Sequence, residues 1–420
     1  MTRPTLWRHA DFLHLWGAAT ISTYGSLVTR TALPFAAILL LDASPASISA
    51  LLVAELLPDF LVGLLAGAWI DRIRRRPVMI AADLGRALLL ATIPLSVLGG
   101  WFGFGHLYVV AALVSVLGVF FDVAYQSHLP AIVDRDDLIE ANSKITASSS
   151  VAEAAAFSSG GWLIQLLTAP FAILVDAATF LVSAGLIARM RAPELRGRVS
   201  AEERAASSLT DEVRQGLRVV WGQPILRGLA GAGIAQNLAF GSIGTVFLLY
   251  VNQEVGFSPG LLGMIFAVGG VSSFAGAMLA GRMPRRGVGL VMIAALVVAA
   301  LGTATISLAT AANAVGIIFL VSNQLINDSA LTVYEINQVS LRQAIAPPHV
   351  IGRVNATLRV SESGALLAGT LLGGYLGEVV GLRNTLWMGV GFSLAAALIL
   401  ACSPVRRLRA IPDLPAATPA

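Results

Sequence analysis

Two acidic side chains stand four residues apart within a long apolar stretch of the sequence. At that spacing Glu55 and Asp59 lie on the same face of a helix. In a low-dielectric setting each carboxylate favours protonation of the other, which is the property that a proton carrier needs. Asp59 is ~16 Å from the polar end of the stretch at about 1.5 Å per residue, near the middle of a membrane. Arg30 is expected at a similar depth, where it would neutralise Glu55 and leave Asp59 to titrate; the alternative is that both acids serve only packing and pairing.

Other polar residues also occur inside apolar stretches. Glu153 has no ionisable partner close to it in the sequence and is a second candidate for proton binding. A later stretch is the most polar, with Asn323, Asn327 and Asp328 close together. A helix that faced lipid could not carry these groups, because an unsatisfied polar group in hydrocarbon is costly. We therefore expect them to face other helices or a water-filled cavity.

The composition places these residues in a membrane protein. Of 420 residues, 56% are hydrophobic and 12% are charged, about half the roughly 25% usual for soluble domains. The mean hydropathy is +0.78, which excludes a soluble enzyme, a disordered chain and a nucleic-acid binder. Cys402 is the one cysteine and the five histidines show no ligand spacing, so neither a disulfide nor a metal site is expected. No phosphate-binding loop motif occurs, so we expect no cofactor and a proton gradient as the energy source.

Twelve stretches are long and apolar enough to cross a membrane as helices, since a crossing needs about 20 residues. Their predicted limits are 12–41, 47–70, 77–99, 105–127, 143–166, 169–189, 224–251, 259–281, 288–309, 312–341, 352–377 and 384–403. Arginines mark the loops on one side, from Arg3 to the tail around Arg406, whereas Arg383 alone marks the other side. The positive-inside rule then predicts a multi-pass protein of the bacterial cytoplasmic (inner) membrane with both termini in the cytoplasm.

The chain repeats itself at an offset of 213 residues. The motif at 78–82 recurs at 291–295, and Asp122 falls on Glu335. Such repeats are typical of transporters built from two similar halves. The predicted domains are an N-terminal six-helix half at 1–189, a cytoplasmic linker at 190–223, a C-terminal six-helix half at 224–403 and a cytoplasmic tail at 404–420.

The linker is predicted to contain a short amphipathic helix. Thr210 is a candidate cap for it, and the apolar residues on one side are Val213, Leu217 and Val220. We expect this helix to lie at the inner membrane surface and to connect the two halves. The alternative is a docking site for a regulator.

The loop after the second stretch reads GAWIDRIRRR from Gly67 to Arg76. It resembles the signature loop G-x-x-x-D-R-x-G-R-R of the major facilitator superfamily, with Arg74 in place of a glycine. The segments Gln126–Asn142 and Leu341–Thr357 are similar to the branch that includes macrolide-efflux proteins and the enterobactin exporter. The resemblance implies an all-α integral membrane fold of twelve transmembrane helices in two pseudo-symmetric six-helix halves.

The resemblance also implies an inner gate, a cluster of charged residues that holds the outward-open state. Its predicted members in the first half are Gly67, Asp71, Arg72, Arg75 and Asp122, and its members in the second half are Glu335 with Arg285 or Arg286. Asp83 and Arg86, three residues apart on one helix face, are expected to join this cluster. The alternative is a static ion pair that only fixes the topology.

In this family the first, fourth, seventh and tenth helices line the substrate cavity. The predicted lining residues are Ser26, Arg30, Asn237, Asn323, Asn327 and Asp328. A polar wall on the tenth helix and apolar walls elsewhere would suit a large amphipathic substrate. Hydrogen bonding between helices is the alternative role for the amide side chains.

These features together predict a secondary active transporter rather than an enzyme. By alternating access it would export an amphipathic small molecule (a drug, a macrolide or a siderophore-like compound) in exchange for protons. Its partners would be the substrate, protons and the lipid bilayer, with no nucleic acid, and it would act as a monomer.

The fifth stretch reads AFSSGG at 156–161, where antiporters of this family often carry G-P-x-x-G-G. The missing proline keeps an uncoupled or lipid-directed facilitator as an alternative, and a transport-dead membrane sensor or scaffold is the other alternative.

Overall fold

A computed structural model describes residues 6–70, 73–134, 137–191, 209–282, 287–347 and 350–410, with side chains throughout except at 63–70 and 209–213. The helices in chain order are α1 (Ala10–Leu41), α2 (Pro45–Ile70), α3 (Arg75–Leu98), α4 (Phe104–Ile132), α5 (Leu138–Leu167), α6 (Ala169–Ala188), α7 (Leu209–Gly222), α8 (Pro224–Leu249), α9 (Pro259–Arg282), α10 (Val288–Ala304), α11 (Ala314–Asn323), α12 (Ser329–Ile345), α13 (Ile351–Val379) and α14 (Leu382–Cys402). Two π-helical turns follow α8 and α11, at Tyr250–Glu254 and Gln324–Asp328. Short 3-10 turns lie at Leu6–Arg8, Ile306–Leu308 and Pro404–Arg407.

Twelve of these helical stretches have the length of a membrane span. Ten of them, in the described part of the chain, are also apolar enough to cross a membrane by composition, and one of the ten runs through α11, the π turn and α12. The other two are α5 and α13, with 30 and 29 residues. At about 1.5 Å per residue both are longer than the ~30 Å of hydrocarbon in a bilayer. The predicted all-α membrane fold with twelve spans is confirmed.

The helices repeat with the offset found in the sequence. Each of the helices α1, α2, α3, α5 and α6 has a later counterpart that begins 213 or 214 residues further on, and these counterparts are α8, α9, α10, α13 and α14. The packing repeats as well. In the first set α1 contacts α5 and α6, and α3 contacts α4 and α6. In the second set α8 contacts α13 and α14, and α10 contacts α12 and α14.

The chain forms two compact units. One unit comprises Met1–Ser200 with Ser258–Ala267, and the other comprises Ala201–Phe257 with Val268–Ala420. The core of the first includes Phe12, Leu15 and Met79, none of which has any exposed surface. The core of the second includes Met292, Leu296 and further apolar residues of α8, α12 and α14. The burial of these apolar residues, together with backbone hydrogen bonds inside each helix, positions the polar side chains described below.

The helix α7 lies in the segment predicted to be the linker, and it packs against α13 and α8. Thr210, the candidate cap, lies within this helix, whose described residues are Leu209–Gly222. Its side toward α13 is formed by Gly216 and by Val220, which is 3% exposed. Leu217, predicted on the same side as Val220, is 39% exposed.

Gly216→Ala should destabilise the protein by about 1–3 kcal/mol, the usual cost of overpacking. A Cβ at this position would lie 2.2 Å from Thr357 Oγ1 and 2.8 Å from the carbonyl oxygen of Arg353. The matched control is Gly222→Ala at the end of the same helix, where a Cβ would have no neighbour within 4 Å. Thermal unfolding of both purified variants measures the difference. Equal melting temperatures would show that α7 does not depend on this contact.

Candidate functional site

A buried ion pair lies on α3 in the first unit. Arg86 Nη2 contacts Asp83 Oδ1, and the two residues are 6% and 0% exposed. The guanidinium group of Arg86 also lies over two aromatic rings, 4.6 Å from the centroid of Phe121 and 4.0 Å from that of Phe180. Cation–π contacts of this kind are strongest where water is absent. Arg86 is therefore held in one place by three side chains from three helices.

A second buried acid, Asp176 on α6, approaches the same arginine. It is 1% exposed, and the charge of Arg86 acts on it. The hydroxyl oxygen of Thr179 lies 3.0 Å from Asp176 Oδ1, and Thr29 of α1 faces the same carboxyl group. Gly25 of α1 packs closely against Asp176, because a Cβ at position 25 would lie 2.4 Å from Asp176 Oδ1. Asp176 was absent from the residues predicted from the sequence, although an acid inside an apolar span was a signal that could have identified it.

The predicted inner gate is only partly within the described residues. Gly67 is described only as backbone of α2, and the gate residues outside the described part of the chain are Asp71, Arg72, Arg285 and Arg286. Asp122 on α4 is exposed, and the cation that acts on it is Arg86. The structure thus brings one predicted gate residue close to the buried ion pair of α3.

The arginines at the start of α3 contact the ends of two neighbouring helices. Arg75 Nη1 donates a hydrogen bond to the carbonyl oxygen of Ser127, 2.7 Å away on α4. Arg76 Nε donates to the carbonyl oxygen of Ile187, 3.0 Å away on α6. The C-terminal end of a helix favours cations, so these contacts tie α3 to α4 and α6 at one end of the unit.

The predicted proton-binding pair on α2 is divided between two environments. Glu55 is partly buried, and its Oε1 atom is fully buried without a hydrogen bond among the described residues. The cation that acts on Glu55 is Arg30, as the sequence analysis expected. Asp59 is exposed, and its charge acts on Asp122 of α4. Glu153 on α5 is also exposed.

The most polar span contains a π turn that the sequence did not predict. Residues 324–328 make this turn between α11 and α12. Ser272 of α9 donates a hydrogen bond to the Gln324 carbonyl oxygen at 2.7 Å. Asp328 lies against Gly269, where a Cβ would be 2.6 Å from the Asp328 Oδ2 atom. Turns of this type recur at functional sites, because they redirect side chains that a regular helix would place elsewhere.

The two asparagines of this span have different surroundings. Asn327 donates to Thr303 Oγ1 at 2.8 Å and to the Ala299 carbonyl oxygen at 3.1 Å, which is the predicted alternative of hydrogen bonding between helices. Asn323 is 8% exposed, and its Oδ1 atom makes no hydrogen bond among the described residues. Asn323 therefore has a buried polar atom left for another group.

The remaining predicted lining residues lie on two helices. Ser26 is half-buried on α1. Asn237 on α8 donates a hydrogen bond to the carbonyl oxygen of Gly233 in its own helix, at 3.0 Å. One amide hydrogen of Asn237 is therefore used within its own helix.

A second acidic pair lies in the other unit and includes one residue that the sequence analysis did not select. Glu335 on α12 is exposed, and the charge of Glu362 on α13 acts on it. Gln338 Nε2 lies 3.5 Å from Glu362 Oε1, and the cation that acts on Glu362 is Arg342. Gly233 of α8 lies against the carboxyl group of Glu362, and a larger residue would clash there, since a Cβ at position 233 would be 2.7 Å from Glu362 Oε1.

Comparison with known proteins gives a consistent result. The family profile of the Major Facilitator Superfamily matches residues 15–339. The multidrug efflux pump Tap of Mycolicibacterium fortuitum is 29% identical over 388 residues, covering 88% of this chain and 89% of Tap. The uncharacterized MFS-type transporter YfiS of Bacillus subtilis (strain 168) is 24% identical over 393 residues, covering 91% of this chain and 90% of YfiS.

Solved structures share the fold. The nucleoside transporter NupG superposes with a TM-score of 0.70 at 15% identity, covering 94% of this chain and 98% of that one. A bacterial homologue of the iron transporter ferroportin, in an inward-facing state, gives a TM-score of 0.73 at 17% identity and covers 95% and 99%. At these identities the likeness concerns the fold alone.

Proposed function

The chain belongs to the Major Facilitator Superfamily, and we propose that it is a secondary transporter that exports an amphipathic small molecule in exchange for protons. Its multi-pass transporter fold would lie in the bacterial cytoplasmic membrane, with both termini in the cytoplasm. Alternating access would carry the substrate, and no enzymatic step is involved.

One observation carries the proposal of proton coupling. Among the described residues, acids outnumber cations inside the spans of the first unit. The acids are Glu55, Asp59, Asp83, Asp122, Glu153 and Asp176, and the cations that act on the buried ones are Arg30 and Arg86. A charge inside a membrane is costly unless it is paired, hydrated or neutralised by a proton. The excess carboxyl groups therefore favour a protein that binds and releases protons.

Two further observations support the substrate class and the direction. The polar π turn and the free Oδ1 atom of Asn323 place polar groups in one span of a largely apolar protein, which suits an amphipathic compound. Export is supported by the similarity to the multidrug efflux pump Tap.

The proposal is tested with inside-out vesicles in which respiration acidifies the lumen and a dye reports the lumenal pH. A panel of macrolides, cationic dyes, siderophores and lipophilic antibiotics is added compound by compound. We expect at least one class to release lumenal protons, and vesicles without the protein should show no release.

Two results would contradict parts of the proposal. Accumulation of a labelled compound without proton release would replace the antiporter by an uncoupled facilitator. No proton release and no accumulation across the whole panel would contradict export of amphipathic compounds.

A further inference from the structure

The buried charges of the first unit do not balance. Asp83 contacts Arg86, and the charges of both act on Asp176, where α1, α3, α4 and α6 pack together. Asp83, Asp176 and Arg86 are 0%, 1% and 6% exposed. Two carboxylates and one guanidinium group would leave one net negative charge at this place. An uncompensated charge in a buried, low-dielectric setting is costly. One proton on either acid removes the excess charge.

We propose that Asp83 and Asp176 form a proton-binding site that holds one proton between them, with Arg86 as the fixed counter-charge. Arg86 is suited to this role because it is in contact with Asp83 and is held between the rings of Phe121 and Phe180. The position of Arg86 therefore changes little when the proton binds or leaves. Because two interacting acids titrate as a unit, the proton belongs to the pair.

The hydroxyl groups around Asp176 can hydrogen-bond to the protonated acid as well as to the carboxylate. The Thr179 hydroxyl group has one hydrogen and two close oxygen atoms, the Asp176 carbonyl oxygen at 2.8 Å and Asp176 Oδ1 at 3.0 Å. If that hydrogen goes to the nearer carbonyl oxygen, a full hydrogen bond to Oδ1 requires a hydrogen on the carboxyl group. A protonated carboxyl group has one to donate, and a hydroxyl oxygen accepts it. Thr29, which faces the same carboxyl group, is a second hydroxyl acceptor.

The surroundings of Asp83 leave room for the same proton. Its Oδ1 atom contacts Arg86, whereas its Oδ2 atom is buried and makes no close hydrogen bond among the described residues. The Ser183 hydroxyl group of α6 faces this carboxyl group. A fully ionised carboxylate with one bare oxygen is unfavourable at zero exposure, since a buried acceptor normally has a partner.

The internal repeat shows that the fold does not require charges at this place. The residues 213 positions after Asp83, Arg86 and Asp176 are Leu296, Ala299 and Gly389. All three are buried, with Leu296 at 0% and Ala299 at 1% exposure. Replacing a buried ion pair by apolar residues is often neutral or stabilising. The charges of the first unit are therefore explained better by a ligand, here a proton, than by stability.

Other ionisable groups near the pair are either exposed or engaged elsewhere. Asp122 of α4 interacts with Arg86 and Asp59, but its side chain is exposed and water can hydrate it. On α1, Arg30 follows Thr29 in the chain, and its charge acts on Glu55. Glu153 of α5 is exposed. The fully buried acids Asp83 and Asp176 are left as the place where a proton is needed.

Infrared difference spectroscopy on the full-length protein in nanodiscs, without any substrate, tests the site. A protonated carboxyl group has a C=O stretching band above the amide region, and ¹³C-aspartate labelling shifts that band. At neutral pH we expect the intensity of the labelled band to correspond to one protonated carboxyl group per molecule. The band should be absent from the Asp176→Asn variant. The matched control is Asp42→Asn, because Asp42 is exposed and its left-handed backbone, with φ of 49°, suits asparagine.

A second variant keeps the test decisive if Asp176→Asn fails to fold. Thr179→Val retains both acids and should shift the band, since the hydrogen bond to the acid is lost. Absence of a labelled band from the wild-type protein would overturn the proposal, as would a band unchanged in both Asp83→Asn and Asp176→Asn. Because no transport is measured, the result is independent of whether the proposed export is correct.

Discussion

Replacing Arg86 by methionine should lower the free energy of unfolding by about 3–5 kcal/mol, since it breaks a buried ion pair by removing one partner. Methionine can keep the apolar contacts with the rings of Phe121 and Phe180. It leaves Asp83, which has no exposed surface, without a counter-charge. The loss is therefore electrostatic, and thermal unfolding in detergent followed by tryptophan fluorescence should show it clearly.

Two controls separate this cause from a simple packing defect. Arg189→Met removes an exposed arginine at the end of α6 and should cost far less. The triple variant Asp83→Asn, Arg86→Met and Asp176→Asn removes all three charges together. It should be more stable than Arg86→Met alone, because no buried charge is then left unpaired. If the single and triple variants were equally unstable, the shape of Arg86 rather than its charge would stabilise the unit.

The fold was predictable because two simple quantities determine it. The length of each apolar stretch predicts a span, and most helices begin within a few residues of the predicted limits. The offset of 213 residues, seen first in short motifs, recurs in the helix starts. The π turn at 324–328 was not predictable, because the side chains that surround it come from α9 and α10 and leave no local pattern in the sequence.

The site was less predictable, because depth in the membrane does not tell which side of a helix faces which neighbour. Asp83 and Arg86 were recognised as a pair from their spacing of three residues, and the structure pairs them. Asp176 lies 90 positions after Arg86 and was missed, since α6 and α3 become neighbours only in the folded unit. Asn327 was expected to line a cavity, whereas its amide is hydrogen-bonded to α10.

Asp59→Asn should abolish transport against a gradient and leave counterflow exchange intact. Asparagine keeps the size of the side chain but cannot take up a proton, so a coupled step would lose its driving ion while substrate binding remains. Asp59 is exposed, so water reaches its carboxyl group. Its electrostatic interaction with Asp122 links it to Arg86 and thereby to the buried pair of the first unit. Uptake of a labelled substrate into inside-out vesicles, with and without a proton gradient, measures both modes.

Glu55→Gln is the matched control, one helical turn away on the same face of α2. Its partner is Arg30, so this substitution leaves a cation without its acid. It should therefore weaken counterflow and uphill transport to the same extent, as a structural defect does.

Uphill transport that persists in Asp59→Asn would remove Asp59 from the mechanism and favour Glu153 on α5, the other candidate for proton binding. Loss of both modes in Asp59→Asn would assign this acid to substrate binding or to folding, because a residue that only carries the coupling proton is not needed for exchange.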